Sequence, residues 1–424
     1  MSDITPHNAF TPAKEVRDID RFAGRGKELL ALSNALQSDG AQLVLYGQRG
    51  IGKSSLARIL LQLATSDAQV LERLQTKPFV KFDYLPVYLP CDDSITSIEK
   101  LLVRLLTDEA ALAPWLPYKV VERTSNGEGG AKLTIKIVEL SGKAGTSLKE
   151  RSAEVEADLV ATFTNACRAV IKSGVAKSGL LLVIDEFDRI KDRTGIASLM
   201  KTLGPEGVTF ALVGVATTIQ DLISEHESVA RQLADGAVHV EPMDDNEQRE
   251  IITRAMATLG DKYSFEEEAI QWIISIARGH PFYVHLVGKH ALLRAIAFHF
   301  PTVSEQTARD ALAEIALKGS APIQEALYKT AIGHSYTREF VLKKFADQLD
   351  DEIHTTELYA GIAKHLGIDT NTVSVYVGHL GSEKYGAVLA KTRDRYYRFT
   401  DSLFKAYAAA RPFERNASDP ERDE

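Results

Sequence analysis

The sequence predicts an α/β fold: a parallel sheet with flanking helices built around a P-loop, followed by a helical lid domain and then a winged-helix domain. Three observations carry that expectation. Short apolar runs alternate with long helical patterns up to about residue 243. One of these runs leads straight into Gly47-Gln48-Arg49-Gly50-Ile51-Gly52-Lys53-Ser54, a glycine-rich turn that opens a helix. Beyond residue 244 the strand signals stop and four helical patterns follow, ahead of a last module in which helices give way to a hairpin.

Length and composition bound the rest. At about 150 residues per domain, 424 residues make two to three domains, and 45% hydrophobic against 25% charged residues is an ordinary globular balance. The formal charge of −8 excludes a histone-like nucleic-acid wrapper and leaves room for a local basic patch. Cys91 and Cys167 are too few for a disulfide framework and fit a reducing compartment. The first 14 residues lack the apolar core of a secretory signal, and no apolar run approaches the roughly 20 residues that span a bilayer. The expected setting is cytoplasmic, without membrane contact.

Taken in order, residues 1–20 are polar, carry Pro6 and Pro12, and read as a flexible lead-in. The domain at 21–243 holds strand patterns at 42–46, 87–90, 180–185, 208–215 and 237–240, and the helix after the glycine-rich turn runs over 55–64. Within it, 118–141 reads as an inserted β-hairpin. Lys132-Leu133-Thr134-Ile135-Lys136-Ile137 alternates polar and apolar, and Asn126-Gly127 and Gly129-Gly130 supply turn residues. Its Lys119, Lys132 and Lys136 are either contacts for a partner or nucleic acid, or one solvated face. Helices at 245–259, 265–278, 282–298 and 304–317 make a lid domain at 244–319.

The module at 320–411 follows winged-helix grammar: helices at 355–365 and 371–380, then a hairpin from 387–391 to 396–400. Between Lys384 and Arg398 five cations (Lys384, Lys391, Arg393, Arg395, Arg398) face one anion, Asp394. Such a wing suits phosphates of double-stranded DNA. The helix 371–380 has no Arg or Lys, so bidentate guanine readout is not available from it. Residues 412–424 are charged and read as a disordered tail.

The chemistry concentrates in two motifs. G-x-x-x-x-G-K-[ST] is matched in full, so Gly47, Gln48, Arg49, Gly50, Ile51, Gly52, Lys53, Ser54 and the adjoining Ser55 are expected to cradle phosphates with backbone N–H groups. Lys53 would bridge the β- and γ-phosphates and Ser54 would ligate Mg²⁺. The buried run ending in Asp185-Glu186 supplies two carboxylates: Asp185 for the metal shell and Glu186 to orient and deprotonate a water. No N-K-x-D guanine-reading motif occurs, so the expected ligand pair is ATP and Mg²⁺.

With both motifs placed, the chain resembles the AAA+ and STAND ATPases, particularly the origin-recognition-complex-like ATPase domain. Phe22-Ala-Gly24-Arg25-Gly-Lys-Glu28-Leu29 ahead of the first strand and Asp185-Glu186-Phe187-Asp188 carry the resemblance together with the loop. It implies that Arg25 and its neighbours approach the adenine, and that Thr217 or Thr218 senses the γ-phosphate. It also implies that Arg231 reaches a neighbouring subunit as an arginine finger. Gly279-His280-Pro281 resembles the Gly-x-Pro motif of STAND members, with Arg278 placed for a second sensor.

The expected function is therefore that of an ATP-binding and ATP-hydrolysing regulatory protein whose nucleotide state controls the winged-helix module. One alternative is a DNA-binding initiator or transcription regulator that uses ATP mainly as a structural ligand. The other is a STAND-type signalling switch that oligomerises on a trigger, in which the winged helix locks the nucleotide domain. A homo-oligomer or a partner protein belongs to either picture.

Overall fold

Apolar runs with no polar alternation can only lie where both faces are covered, and here they form the middle of one parallel sheet. The structure is a computed structural model and describes residues 5–74, 78–116, 118–127, 130–139, 158–223, 229–317, 322–348, 350 and 352–414. The chain divides into two compact units, residues 15–241 and residues 1–14 with 242–424.

In the first unit the strands are β1 (Leu43–Gly47), β2 (Tyr84–Pro90), an inserted pair β3 (Tyr118–Gly127) and β4 (Gly130–Glu139), then β5 (Gly179–Asp185), β6 (Val208–Val215) and β7 (Ala237–His239). The central sheet has the order β2-β5-β6-β1-β7, parallel throughout. Every residue of β5 is buried. Its side chains serve the two faces alternately. Leu182 and Ile184 join Leu102, Phe163 and Phe210 on one side, whereas Leu181 and Val183 join Leu29, Leu56, Leu60 and Val213 on the other. The register sets Gly47 against Val215 and Pro90 against Asp185, so β1, β2, β5 and β6 all end on one edge of the sheet. In open parallel sheets that carboxyl edge is where ligands bind.

The expected hairpin forms a separate antiparallel pair, from Tyr118 opposite Glu139 to Gly127 opposite Gly130. The side chains of Lys119, Lys132 and Lys136 lie outside the described residues. Cys91 and Cys167 are both free and buried, and burial pushes each thiol up to about 12.

The second unit carries the four expected helices, Asp245–Ala257, Glu267–Ala277, Pro281–Ala297 and Glu305–Leu317. The first starts at a capping box: Asp244 accepts the Glu247 N–H at 2.9 Å and Glu247 accepts the Asp244 N–H at 3.1 Å. Two short parallel strands, β8 (Ser264–Phe265) and β9 (Thr302–Val303), appear where only helices were expected. Helices Pro322–Ile332, Tyr336–Ala346, Thr355–Leu366 and Thr370–Leu380 follow. An antiparallel sheet of β10 (Ile353–His354), β11 (Leu389–Arg393) and β12 (Tyr396–Phe399), in the order β10-β12-β11, and a last helix, Ser402–Ala410, complete the unit. Helices 355–366 and 370–380 with this sheet are the elements from which a winged helix is built. No helix among the described residues is long and apolar enough to cross a membrane.

Two expectations at the termini need correction. Residues 5–14 are not a loose lead-in: Pro6–Ala9 is a helical turn, and Phe10, 1% exposed, lies against Phe265 at 6.0 Å and over Gly288. A Cβ on Gly288 would stand 2.6 Å from that ring, so the glycine makes the seat. Nor is the tail loose throughout. The Phe413 ring packs near Tyr336 and Phe340 at 6.1 and 6.2 Å, and Glu414 donates its N–H to Glu339 at 2.6 Å. Residues 415–424 lie outside the described residues. The lid and the C-terminal module, expected as separate domains at 244–319 and 320–411, fall in one unit.

Candidate functional site

The site is built at the end of β1. Gly47 has φ +151, and a Cβ there would meet the Val240 carbonyl at 2.6 Å, so only glycine fits between β1 and the chain leaving β7. Gly52 turns the loop into the helix Lys53–Ala64 with φ +100, a region that side-chain-bearing residues avoid. The first N–H groups of that helix have no intrahelical acceptors and form the positive end of its dipole, which suits an anion. Gln48 and Arg49 are exposed and Ile51 is buried. The Ser55 hydroxyl oxygen accepts the Val16 N–H at 3.0 Å.

Lys53 is 8% exposed and donates to the Gly47 and Gln48 carbonyls at 3.0 and 2.7 Å. Burial lowers its ammonium to about 8, while the Asp188 and Asp185 carboxylates oppose the shift and Arg49 adds to it. The lysine thus holds a desolvated charge against the loop's own carbonyls, contacts that phosphate oxygens can replace.

Asp185, at the end of β5, is 4% exposed. Its Oδ1 accepts the Glu186 N–H at 2.8 Å and its Oδ2 accepts the Tyr88 hydroxyl. It stands at the carboxyl edge of the sheet, the edge on which β1 runs into the loop. With the Ser54 hydroxyl it offers the hard oxygen donors that Mg²⁺ prefers. Among the described residues no cluster of three or more His, Cys, Asp or Glu could hold a metal without help.

Glu186 follows in the left-handed region, φ +54. Its carboxylate is half exposed and pairs with Arg189 Nε at 2.7 Å. Asp188 accepts the Val215 N–H at 2.8 Å and so fastens this turn to the end of β6. Thr217 and Thr218 come directly after β6 and are exposed. Both N–H groups donate to Asp221 Oδ2, at 3.0 and 2.7 Å, in a capping box that opens the turn Ile219–Asp221. Arg231 is exposed, and residues 224–228 before it lie outside the described residues.

Arg25 is turned into the fold. It is 2% exposed, and its guanidinium donates to the Ile51 carbonyl at 2.7 Å, the Glu241 carbonyl at 2.6 Å and Glu28 at 2.8 Å. It braces the back of the loop. Arg278 likewise has work that the sequence did not suggest. It ends the helix Glu267–Ala277 with φ +48 and donates to the Ala346 and Gln348 carbonyls at 3.3 and 3.0 Å. A cation at the end of helix Tyr336–Ala346 is favourable there. His280 is buried at the N-cap of helix Pro281–Ala297, and Pro281 takes that helix's first position.

One unit thus brings together the loop Gly47–Ser55, Arg25, Asp185, Glu186, Thr217 and Thr218, whereas Arg278, His280 and Pro281 belong to the other. Sequence reasoning missed Tyr88, Arg58 and Arg189. Arg58 sits on the phosphate-loop helix and stacks over the Tyr88 ring at 3.4 Å.

On the wing, Arg393 pairs with Glu352 at 3.0 Å and lies over the Tyr396 ring at 3.9 Å. Lys391 and Arg395 approach Asp394 at 3.7 and 3.8 Å, and Arg398 is exposed. The excess of positive charge is therefore smaller than the local sequence suggests, because Glu352 enters from β10's approach.

Comparison with known proteins agrees with the motifs. Residues 21–213 match the family model described as AAA ATPase domain. No curated protein gives a significant sequence match. Among solved structures the chain is similar to the Aeropyrum pernix ORC2 protein, with 15% identity, 95% of this chain and 96% of that chain covered, and a TM-score of 0.48. It is similar to the Thermotoga maritima RuvB Holliday junction branch migration motor, with 18% identity, 92% and 97% coverage and a TM-score of 0.41. For Drosophila ORC bound to DNA the identity is 13%, the coverage 95% and 90%, and the TM-score 0.43.

Proposed function

Residues 21–213 are an AAA ATPase domain, and from that premise we propose that the chain binds and slowly hydrolyses Mg·ATP and that its nucleotide state governs the C-terminal winged-helix module. The observation that carries the reading is that the Lys53 ammonium and the Asp185 carboxylate are both buried at the carboxyl edge of the sheet. Two opposite charges kept from water at a glycine loop serve a ligand that brings both phosphate and metal.

In this reading Lys53 exchanges the Gly47 and Gln48 carbonyls for β- and γ-phosphate oxygens, while the loop's N–H groups close around the chain of phosphates. Ser54 and Asp185 hold Mg²⁺, which supplies charge neutralisation at the transferring phosphoryl group. Glu186 takes the proton of the attacking water. To do so its carboxylate must leave Arg189, a contact that favours slow turnover. The same contact favours the second reading, in which ATP is mainly a structural ligand. Arg395 and Arg398 on the wing are the cations offered to duplex phosphates.

Two variants test the site. Lys53→Ala should lose the ATP-dependent gain in thermal stability, which for wild type at 100-fold excess over Kd amounts to about 2.7 kcal/mol. Glu186→Gln should keep that gain and hydrolyse ATP at least roughly tenfold more slowly. An equal ATP-dependent shift in Lys53→Ala would refute the phosphate site. Wild type that binds ATP without measurable turnover would select the structural-ligand reading.

A further inference from the structure

Asp185 is held more firmly than a metal-binding carboxylate needs to be if the metal alone orients it. One oxygen takes the Glu186 N–H at 2.8 Å and the other takes the Tyr88 hydroxyl, so both oxygens already have a donor and the carboxylate plane is set. Tyr88 reaches it along the sheet: it lies opposite Val183, and Asp185 is two residues further on the same face of β5. The phenol is itself held. The Arg58 guanidinium stacks on its ring at 3.4 Å, and Glu15 accepts from Arg58 Nε at 3.2 Å and pairs with its terminal nitrogen at 3.1 Å. Arg58 stands on the helix Lys53–Ala64, which also carries Lys53 and Ser54. The next residue after Glu15, Val16, donates to Ser55 on that helix at 3.0 Å.

We propose that Tyr88 is a positioning residue for Mg²⁺: the chain Glu15–Arg58–Tyr88–Asp185 fixes the Asp185 carboxylate relative to the phosphate-loop helix, so that Ser54 and Asp185 present their oxygens in one arrangement. The proposal rests on the Mg·ATP reading of the site. Outer-shell partners of this kind typically change metal affinity by about 10- to 100-fold when removed. Tyr88→Phe deletes the donor while keeping the ring on which Arg58 stacks.

The test titrates a fluorescent ATP analogue into the full chain with EDTA and with increasing Mg²⁺, alongside a thermal melt of each variant. Tyr88→Phe should raise the Mg²⁺ concentration at half-effect by about tenfold or more and leave affinity in EDTA within about twofold of wild type. Arg58→Leu, which keeps the hydroxyl and removes its support, should shift the Mg²⁺ response the same way by less, and it carries the test should Tyr88→Phe fail to fold. An unchanged Mg²⁺ response in both variants overturns the proposal. So does an equal loss of affinity in EDTA and in Mg²⁺, the mark of a purely structural contact. Wild type that binds the analogue with no Mg²⁺ response, or not at all, would instead overturn the reading of the site and this proposal with it.

Discussion

Raising the pH from 7 to 9 should weaken ATP binding by about tenfold, through Lys53 alone. Burial lowers its ammonium from the usual 10.5 to about 8. For a cation depressed in the folded state, the cost of the buried charge is full below pH 8 and is relieved as the pH rises toward 10.5. The unliganded fold therefore gains from deprotonation in that window, whereas phosphate binding needs the protonated form. With the folded pKa near 8, roughly nine-tenths of the molecules carry the ammonium at pH 7 and about one-tenth at pH 9. The difference corresponds to ~1.4 kcal/mol of binding free energy. The phosphates add little to this, since their last ionisation lies near pH 6. Calorimetry at pH 7, 8 and 9 measures the affinity directly. Repeating the pH 8 titration in buffers of different ionisation enthalpy should reveal uptake of about half a proton. An affinity constant from pH 7 to 9, with heats independent of buffer, would refute the reasoning.

Gly47→Ala forces a Cβ to 2.6 Å from the Val240 carbonyl at φ +151, so it should cost about 1–3 kcal/mol in a urea melt; an unchanged melt would mean that the β1–β7 junction yields freely. In the second unit, the double hydrogen bond from Arg411 holds Glu325 down to about 2. Its stabilisation is present above the usual 4.5 and should be lost as the pH falls toward 2, and Glu325→Gln should remove that part of the acid transition while lowering stability at neutral pH. If Arg231 serves a neighbouring molecule, mixing Arg231→Ala with Lys53→Ala should restore some ATP turnover; no rescue in chains shown to co-assemble would exclude the role. Should the wing bind duplex DNA, Arg395→Ala with Arg398→Ala should flatten the dependence of log affinity on log salt by about two, equally across sequences. No duplex binding at low salt would end that reading of the wing.

Legibility followed the range of the interactions. β1, β5 and β6 could be read because both faces are covered and their runs are almost wholly apolar, Thr209 being the exception in β6, and the loop could be read because its glycines answer to local backbone geometry. β8 and β9 are two residues each, too short for any period to show. Phe10 is a single buried aromatic in a polar segment, and no pattern announces a residue whose seat is Gly288. Tyr88 and Asp185 are 97 positions apart, so neither gives a sign of the other. The partners of Arg278 were hidden for a different reason. Its place beside Gly279-His280-Pro281 suggested a nucleotide contact, while its guanidinium answers to carbonyls at Ala346 and Gln348, 68 and 70 positions away. On the wing, Glu352 lies 41 positions before the Arg393 that it pairs with, so the sequence of the hairpin alone does not show it.

The seating of Phe10 has a practical meaning for anyone producing the protein. Residues 1–14 go with the unit that begins at Pro242, although the sheet of residues 15–241 follows them in the chain. Trimming the gene to begin at residue 15 would look harmless beside the phosphate loop, yet it would uncover Gly288, Phe265 and His285 and leave a ring-sized hollow along the helix Pro281–Ala297. A protease nick after Lys14 would do something else. The peptide would stay in place, held by Phe10 and by the Thr11 N–H on His285 at 3.3 Å, and the cut would show on a denaturing gel and not on a native one.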